Sequence, residues 1–408
     1  MNVNKKILQI NTTVNSCSPG KIAEQIGEKV IGRGWESYIA YGRKKNESQS
    51  KIIRIGNYLS VYYHVLQTRI FDRQGLASVY ATKAFVKAID SINPDIVHLH
   101  NIHGYYLNYP ILFNYLRRRD IPIVWTLHDC WPFTGHCVYF DYLGCEKWKS
   151  HCSNCPGIKT YPKSVFLDRS YKNFEKKKTE FLLSKKMVLV PVSNWLNNNL
   201  KDSYFRDVES ITIHNGIDLN RFRYTNPSEE FYSKYGFSGT GKVVLGVASP
   251  WSQRKGFDDF IKLRSELSDD YIIVLVGLSK NQIKVLPSGV IGIERIESQE
   301  ELASLYSLAS VFVNPTYEDN YPTTNIEALA CGTPVITYDT GGSPEAITPE
   351  TGIVVTKGDI CKLAAAVRLL TEKKGDFRSQ CRSWAEKNGD ANTVYSRYMM
   401  LYDELLSR

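Results

Sequence analysis

Val311-Phe-Val-Asn-Pro-Thr-Tyr-Glu318-Asp319-Asn320-Tyr321-Pro-Thr323-Thr324-Asn-Ile-Glu327-Ala-Leu-Ala-Cys-Gly-Thr-Pro-Val-Ile-Thr-Tyr338 is the stretch from which the organisation of this chain is read. Residues 311–314 form a short apolar run with strand character, 326–330 a helix and 334–338 a second strand. Strand, helix and strand in that order belong to a parallel sheet covered by helices. The loop between the first strand and the helix carries two acids, and Thr323-Thr324 opens the helix with Glu327 in its first turn. Such a loop can aim backbone N–H groups and a helix N-terminus at a phosphate, where the dipole favours negative charge. Asp319 and Glu327 can flank one pocket above the strand end, each accepting hydrogen bonds from sugar or ribose hydroxyls. A second reading stays open at this point, because Thr324-Asn-Ile-Glu327 also fits a capping box in which Glu327 only satisfies a backbone amide.

The same rhythm runs outward in both directions. Upstream, 7–10, 37–40, 95–100, 121–127 and 187–192 read as strands, with helices expected over 22–31, 79–92, 111–116 and 170–183. It restarts with strands at 242–248 and 271–276 and helices at 257–267 and 300–308, and it ends in helix from about residue 359. Two consecutive α/β units predict two Rossmann-like domains facing a cleft, 1–213 and 214–385. A C-terminal helix, 386–408, is expected to pack back on the first. The join falls at the turn-rich His214-Asn-Gly-Ile-Asp218.

A chain of 408 residues suits two cores. With 43% hydrophobic and 23% charged residues it reads as folded and soluble. No run approaches the ~20 apolar residues of a spanning helix. The start, Met1-Asn-Val-Asn-Lys-Lys6, lacks the apolar core of a signal peptide, so a cytoplasmic protein is expected. The net charge of +9 is uneven: residues 1–215 hold 30 Lys and Arg against 17 Asp and Glu, leaving 21 against 25 for the rest. Runs such as Arg117-Arg118-Arg119, Lys176-Lys177-Lys178 and Lys185-Lys186 suit an anionic membrane surface or a merely solvated helix face. No recognition motif accompanies the charge, which argues against nucleic acid.

Residues 314–335, followed by Asp339-Thr-Gly-Gly-Ser-Pro-Glu345, resemble the donor-binding signature of glycosyltransferase family 4: an acid, seven residues, Glu, then Gly-Thr-Pro-Val. Three further segments agree in order: Thr126-Leu-His128-Asp129, His214-Asn-Gly-Ile-Asp218 with Phe222, and Arg254-Lys255-Gly256. The resemblance implies the GT-B fold and a retaining glycosyltransferase with no cofactor for catalysis. By it, Glu327 holds the ribose, Asp319 the donor sugar and Lys255 the diphosphate. Asn320, Tyr321, Thr323 and Thr324 line the phosphate and sugar pocket, and His128 contacts the sugar; catalysis rests on His128, Asp319 and Lys255. The sequence departs from the family at Ser249, where an Arg is usual, so Arg254 is expected to supply the second positive charge. Asn320 and Pro322 also replace the family's loop glycines. The donor the resemblance implies is a UDP- or GDP-sugar. The acceptor is a glycan, lipid-linked by the likeness of 128–137 to bacterial exopolysaccharide and capsule transferases, which places the enzyme at the inner membrane face. Two rivals remain at this point: a nucleotide-sugar epimerase on the same fold, and a non-catalytic sugar-nucleotide-binding protein.

Four histidines, His98, His100, His103 and His128, gather at the strand ends of the N-terminal domain. His98 and His100 share a sheet face, where packing and acceptor binding are both open. A cysteine-rich loop spans 130–160, and Cys137, Cys145, Cys152 and Cys155 have the spacing of a structural zinc site, with free thiols and then disulfides as the alternatives.

Overall fold

A computed structural model describes residues 4–235, 241–372 and 377–408, so the reading of the first three residues lies outside it. The chain divides into two compact units, one comprising Met1–His214 with Tyr395–Arg408 and the other Asn215–Val394.

The first unit holds strands β1 (Lys6–Asn11), β2 (Glu36–Tyr41), β3 (Lys51–Arg54), β4 (Ile96–Leu99), β5 (Ile123–Leu127) and β6 (Met187–Pro191). They form one parallel sheet in the order β3-β2-β1-β4-β5-β6. Every residue of β4, β5 and β6 is buried, as expected of parallel strands covered on both faces. Beside them Phe181 packs 4.8 Å from Phe113 and edge-on to Trp125 at 4.9 Å, centring the core of this unit. Truncating such a buried aromatic costs about 3–5 kcal/mol.

The second unit holds β7 (Lys242–Val247), β8 (Tyr271–Val276), β9 (Val290–Ile293), β10 (Val311–Asn314), β11 (Val335–Tyr338) and β12 (Gly352–Val355). Its sheet, also parallel, runs β12-β11-β10-β7-β8-β9. The chain starts in the middle at β7, builds to one edge through β8 and β9, then returns to β10 and builds to the other. The strand order therefore reverses between β7 and β10, and in open parallel sheets ligands bind beyond the carboxyl ends at such a point. In the first unit the reversal lies between β1 and β4.

Most expected elements are present with shifted ends. The edge strands β3, β9 and β12 go unread in the sequence because they are four residues long and half exposed, so no apolar run marks them. The helix Tyr58–Phe71 also goes unread, for a reason taken up below. Among the described residues no helix is long and apolar enough to cross a membrane.

Candidate functional site

β7 and β10 are neighbours, and each delivers a loop to the reversal point. After β7 the chain makes a single 3₁₀ turn, Gln253–Lys255, closed by Gly256 in the left-handed region at φ 74°. A Cβ at Gly256 would stand 2.2 Å from Pro315 O, so only glycine lets the turn lie against the loop after β10. Tyr317 N donates to Arg254 O at 2.7 Å, and the Arg254 guanidinium donates to Glu318 O. These bonds pin the two loops together and place the Lys255 ammonium 2.5 Å from Asp319 Oδ2, both side chains about four-fifths buried. Burial pushes the Asp319 carboxyl up. Lys255, then Arg254, pull it further down, and the net position is below the usual carboxylate value. Gly341 packs on Asp319 O, where a Cβ would come within 2.0 Å, and Gly342 N donates to the same oxygen at 3.0 Å. Asp319 is thus fixed at both backbone and side chain. Glu318, one place away, is fully buried.

The helix Thr323–Ala330 follows, with Pro322 as its N-cap and no side-chain capping bond. The capping-box reading of Glu327 therefore fails, because the helix begins two residues earlier than that motif requires. Glu327 Oε2 instead accepts a hydrogen bond from Tyr306 OH at 3.1 Å. Burial, and secondarily Glu327, holds the Tyr306 phenol well above its ordinary value, so it remains a donor. The helix start is tied to β10 by Asn314 Nδ2 donating to Asn325 Oδ1 at 2.8 Å, and to the next loop by Asn325 Nδ2 donating to Ser343 O at 3.2 Å. Asn320 and Tyr321 are buried, with Tyr321 O accepting from Asn215 Nδ2 at 2.9 Å, whereas Thr323 and Thr324 are half-buried. The arrangement offers Lys255 with Arg254 beside it, two carboxylates and a helix N-terminus, the equipment for a phosphorylated, hydroxyl-rich ligand.

In the first unit the histidines separate by role. His98 is fully buried, with Nδ1 2.6 Å from Tyr402 OH and Nε2 2.7 Å from Thr126 Oγ1. Nδ1 thus ties the sheet to the helix Ala391–Ser407, and Nε2 ties β4 to β5. His100 places Nε2 2.9 Å from Gln9 Oε1, and Gln9 Nε2 donates to Ala23 O, which orients Oε1 as acceptor. Burial keeps His100 neutral, so its Nδ1 accepts and His128 Nε2–H donates to it across 3.0 Å. That fixes the His128 tautomer with the lone pair on Nδ1. Burial lowers the His128 pKa to about 4, with smaller opposing effects from Asp129 and His103, so it is neutral near pH 7. His103 Nε2 lies 2.6 Å from Asp129 Oδ2 and its Nδ1 3.1 Å from Tyr161 OH.

The thiols of Cys137, Cys145, Cys152 and Cys155 line one small cavity with His136, Phe140 and Trp148. Among the described residues no group of three or more His, Cys, Asp or Glu side chains is arranged to hold a metal ion. Within the cluster Cys137 contacts Cys155, whose pKa that contact lowers to about 7, and Cys152 Sγ accepts from Gly135 N at 3.2 Å. Polar and aromatic contacts order the loop. Lys177 is buried, donates to Trp131 O at 2.8 Å and Thr134 O at 3.0 Å, and sits 3.5 Å over the Trp131 ring. His136 Nδ1 meets Asp72 Oδ1 at 2.6 Å in full burial, and Phe133, Phe140 and Trp148 cluster at 4.7–6.1 Å.

The structure thus brings Arg254, Lys255, Asp319 and the start of the Glu327 helix onto adjoining loops of one unit. Tyr306, the hydrogen-bond partner of Glu327, was missed in the sequence. It lies 21 positions upstream on another helix, and no local pattern announces it.

Comparison with known proteins gives two matches that together span most of the chain: residues 21–221 match Glycosyltransferase Family 4 and residues 241–373 match Glycosyl transferases group 1. The putative colanic acid biosynthesis glycosyl transferase WcaC of Escherichia coli is 23% identical over 375 residues, 88% of this chain and 89% of that protein. The N,N'-diacetylbacillosaminyl-diphospho-undecaprenol alpha-1,3-N-acetylgalactosaminyltransferase of Campylobacter jejuni is 24% identical over 244 residues, 56% of this chain and 63% of that one. Among solved structures, sucrose-phosphate synthase of Thermosynechococcus elongatus aligns over 99% of this chain and 100% of its own with a TM-score of 0.73 at 17% identity. The Anabaena protein HepE in complex with UDP-glucose aligns over 98% and 99% with a TM-score of 0.67 at 15% identity. These likenesses establish the fold as GT-B.

Proposed function

The chain belongs to the family 4 glycosyltransferases, and from that premise we propose that it is a retaining, metal-independent enzyme building a lipid-linked glycan from a UDP- or GDP-sugar. The observation that carries the donor assignment is the Lys255–Asp319 contact of 2.5 Å at the reversal between β7 and β10. Lys255 takes the donor diphosphate and Asp319 a hydroxyl of the transferred sugar, while Glu327, steadied by Tyr306, takes the ribose hydroxyls. Backbone amides at the start of the helix Thr323–Ala330 complete the phosphate cradle. Arg254 acts through structure, since its guanidinium is bonded to Glu318 O.

In this reading the departing diphosphate is the catalytic problem, and a fixed ammonium beside a helix N-terminus stabilises its charge without reorganisation. The acceptor hydroxyl attacks the anomeric carbon from the face the diphosphate leaves, and its proton passes to the leaving phosphate oxygen. The carbon–oxygen bond to the acceptor replaces the one to phosphate, with retention. His128, neutral near pH 7, is assigned as a hydrogen-bonding group for the sugar rather than a proton donor. Support for a lipid-linked acceptor comes from the undecaprenol-linked substrate in the Campylobacter relative's name and from the basic N-terminal half.

The test is transfer by the purified chain from UDP- and GDP-sugars to polyprenyl-diphosphate-linked saccharides, with the new anomeric centre read by NMR. Retention with one donor nucleotide is the expected result. An inverted product would overturn the stereochemical assignment, and transfer to water-soluble saccharides alone would overturn the acceptor.

A further inference from the structure

The helix Tyr58–Phe71 is built inside out. Its buried side chains are His64 and Thr68, both polar. His64 is locked by Ser78 Oγ at 2.8 Å and by the Gly75 amide, which donates to Nε2 at 3.0 Å, so hydrogen bonds hold the helix down beside the half-buried Val61 and Val65. Tyr58, Leu59, Tyr62, Tyr63 and Leu66 point outward with exposures of 75%, 78%, 72%, 55% and 44%. Their three- and four-residue spacing makes one continuous stripe. A second exposed apolar segment, residues 165–167, is anchored at the end of the same helix by Val165 N donating to Arg69 O at 2.8 Å, and there Phe166 is 76% exposed. Isolated apolar side chains on a surface need no explanation, but a clustered patch marks an interaction site.

The charge around the stripe identifies its partner. Between Lys51 and Lys87 the sequence has six Lys and Arg against one acid, Asp72. That acid is buried against His136 and projects no charge outward. Arg54, Arg69 and Arg73 are exposed, and the Arg54 guanidinium stacks 4.1 Å from the Tyr58 ring. Members of the basic runs that stand out in the sequence are paired or hidden, while Arg118, Lys176, Lys178 and Lys185 stay exposed away from any such apolar stripe. Arg117 donates to Glu180, Lys186 meets Asp120 at 2.5 Å, and Lys177 is buried.

We propose that the outer face of the helix Tyr58–Phe71, with the 165–167 segment, docks this chain on an anionic phospholipid bilayer. Tyrosine suits the headgroup layer, its ring apolar and its hydroxyl wet, while leucine and phenylalanine enter deeper. The arginines lay their stems along the stripe and turn their charged ends to lipid phosphates. The inference goes beyond the proposed function, because vesicle binding is measured without donor or acceptor and stands or falls apart from the donor site.

The experiment floats the full chain with vesicles of phosphatidylcholine alone or mixed with phosphatidylglycerol. It compares the wild type with a Leu59→Ser/Tyr62→Ser/Tyr63→Ser/Leu66→Ser variant whose melting temperature and UDP binding are checked against it. These positions are exposed, so folding and nucleotide binding are expected unchanged while the vesicle partition coefficient falls at least about tenfold. Binding should require phosphatidylglycerol and weaken with salt. Equal flotation on neutral vesicles, flotation of the serine variant like the wild type, or a dimer abolished by the variant without any flotation would each overturn the proposal.

Discussion

Replacing Lys255 with methionine keeps the length of the side chain and removes its charge, and the structure sets the size of two separable effects. The first is on stability. The Lys255 and Asp319 side chains are 22% and 18% exposed, between a surface pair worth under about 1 kcal/mol and a fully buried pair whose disruption costs about 3–5 kcal/mol. A loss of about 1–2 kcal/mol is expected in urea unfolding. The second is on the donor. One charge-assisted hydrogen bond to the diphosphate is worth about 1.5–3 kcal/mol, so UDP or GDP should bind roughly 10–150-fold more weakly by calorimetry. Turnover should fall on the order of a hundredfold or more, since the same charge stabilises the leaving group. The double variant Lys255→Met/Asp319→Asn separates the effects: with no stranded carboxylate it should regain stability but not affinity. A Lys255→Met enzyme that loses stability yet binds nucleotide like the wild type would refute the reasoning and leave the pair a structural device.

Gly256→Ala should cost at least about 2 kcal/mol, from left-handed strain plus collision with Pro315 O, and should weaken nucleotide binding by moving Lys255. Gly144→Ala, also at positive φ but with nothing within 4 Å, is the control that reports strain alone in thermal melts. Burial lowers the pKa of His98 to about 3 and of His128 to about 4 from an ordinary 6.5. Their contribution to stability is therefore intact above about pH 6.5 and is lost as pH falls toward those values, by about 1.4 kcal/mol per pH unit for each. Urea midpoints across that window should drop with pH, and His98→Gln should flatten the dependence while lowering stability near neutrality. An unchanged slope would show that His98 does not titrate on unfolding as described.

What was legible in the sequence follows from what kind of signal each element carries. Central strands such as β5 and β6 are apolar throughout and could be read directly, whereas β3, β9 and β12 sit at sheet edges with half-exposed residues and leave no pattern. The helix Tyr58–Phe71 escaped because periodicity arguments assume that the apolar face goes inward, and here His64 and Thr68 go inward instead. At the site, Lys255, Asp319 and Glu327 could be found from local sequence. Whether Glu327 was free of the helix cap depended on which residue begins the helix, which Pro322 decides. Tyr306 and the Asn314–Asn325 bond join separate elements and could not be seen before the fold. Lys177 lay in what looked like a solvated basic run, yet two carbonyls and an indole ring hold it in the core.

The most direct test of the donor site is thermal melting of the wild type and of Glu327→Ala with UDP- and GDP-sugars at about a hundred times the wild-type dissociation constant. A ligand bound only by the native state then stabilises it by about 2.7 kcal/mol. The account predicts a raised melting temperature for the wild type with one of the nucleotides, and a variant that melts near the wild-type apo temperature with no ligand shift. An equal shift in Glu327→Ala would contradict it.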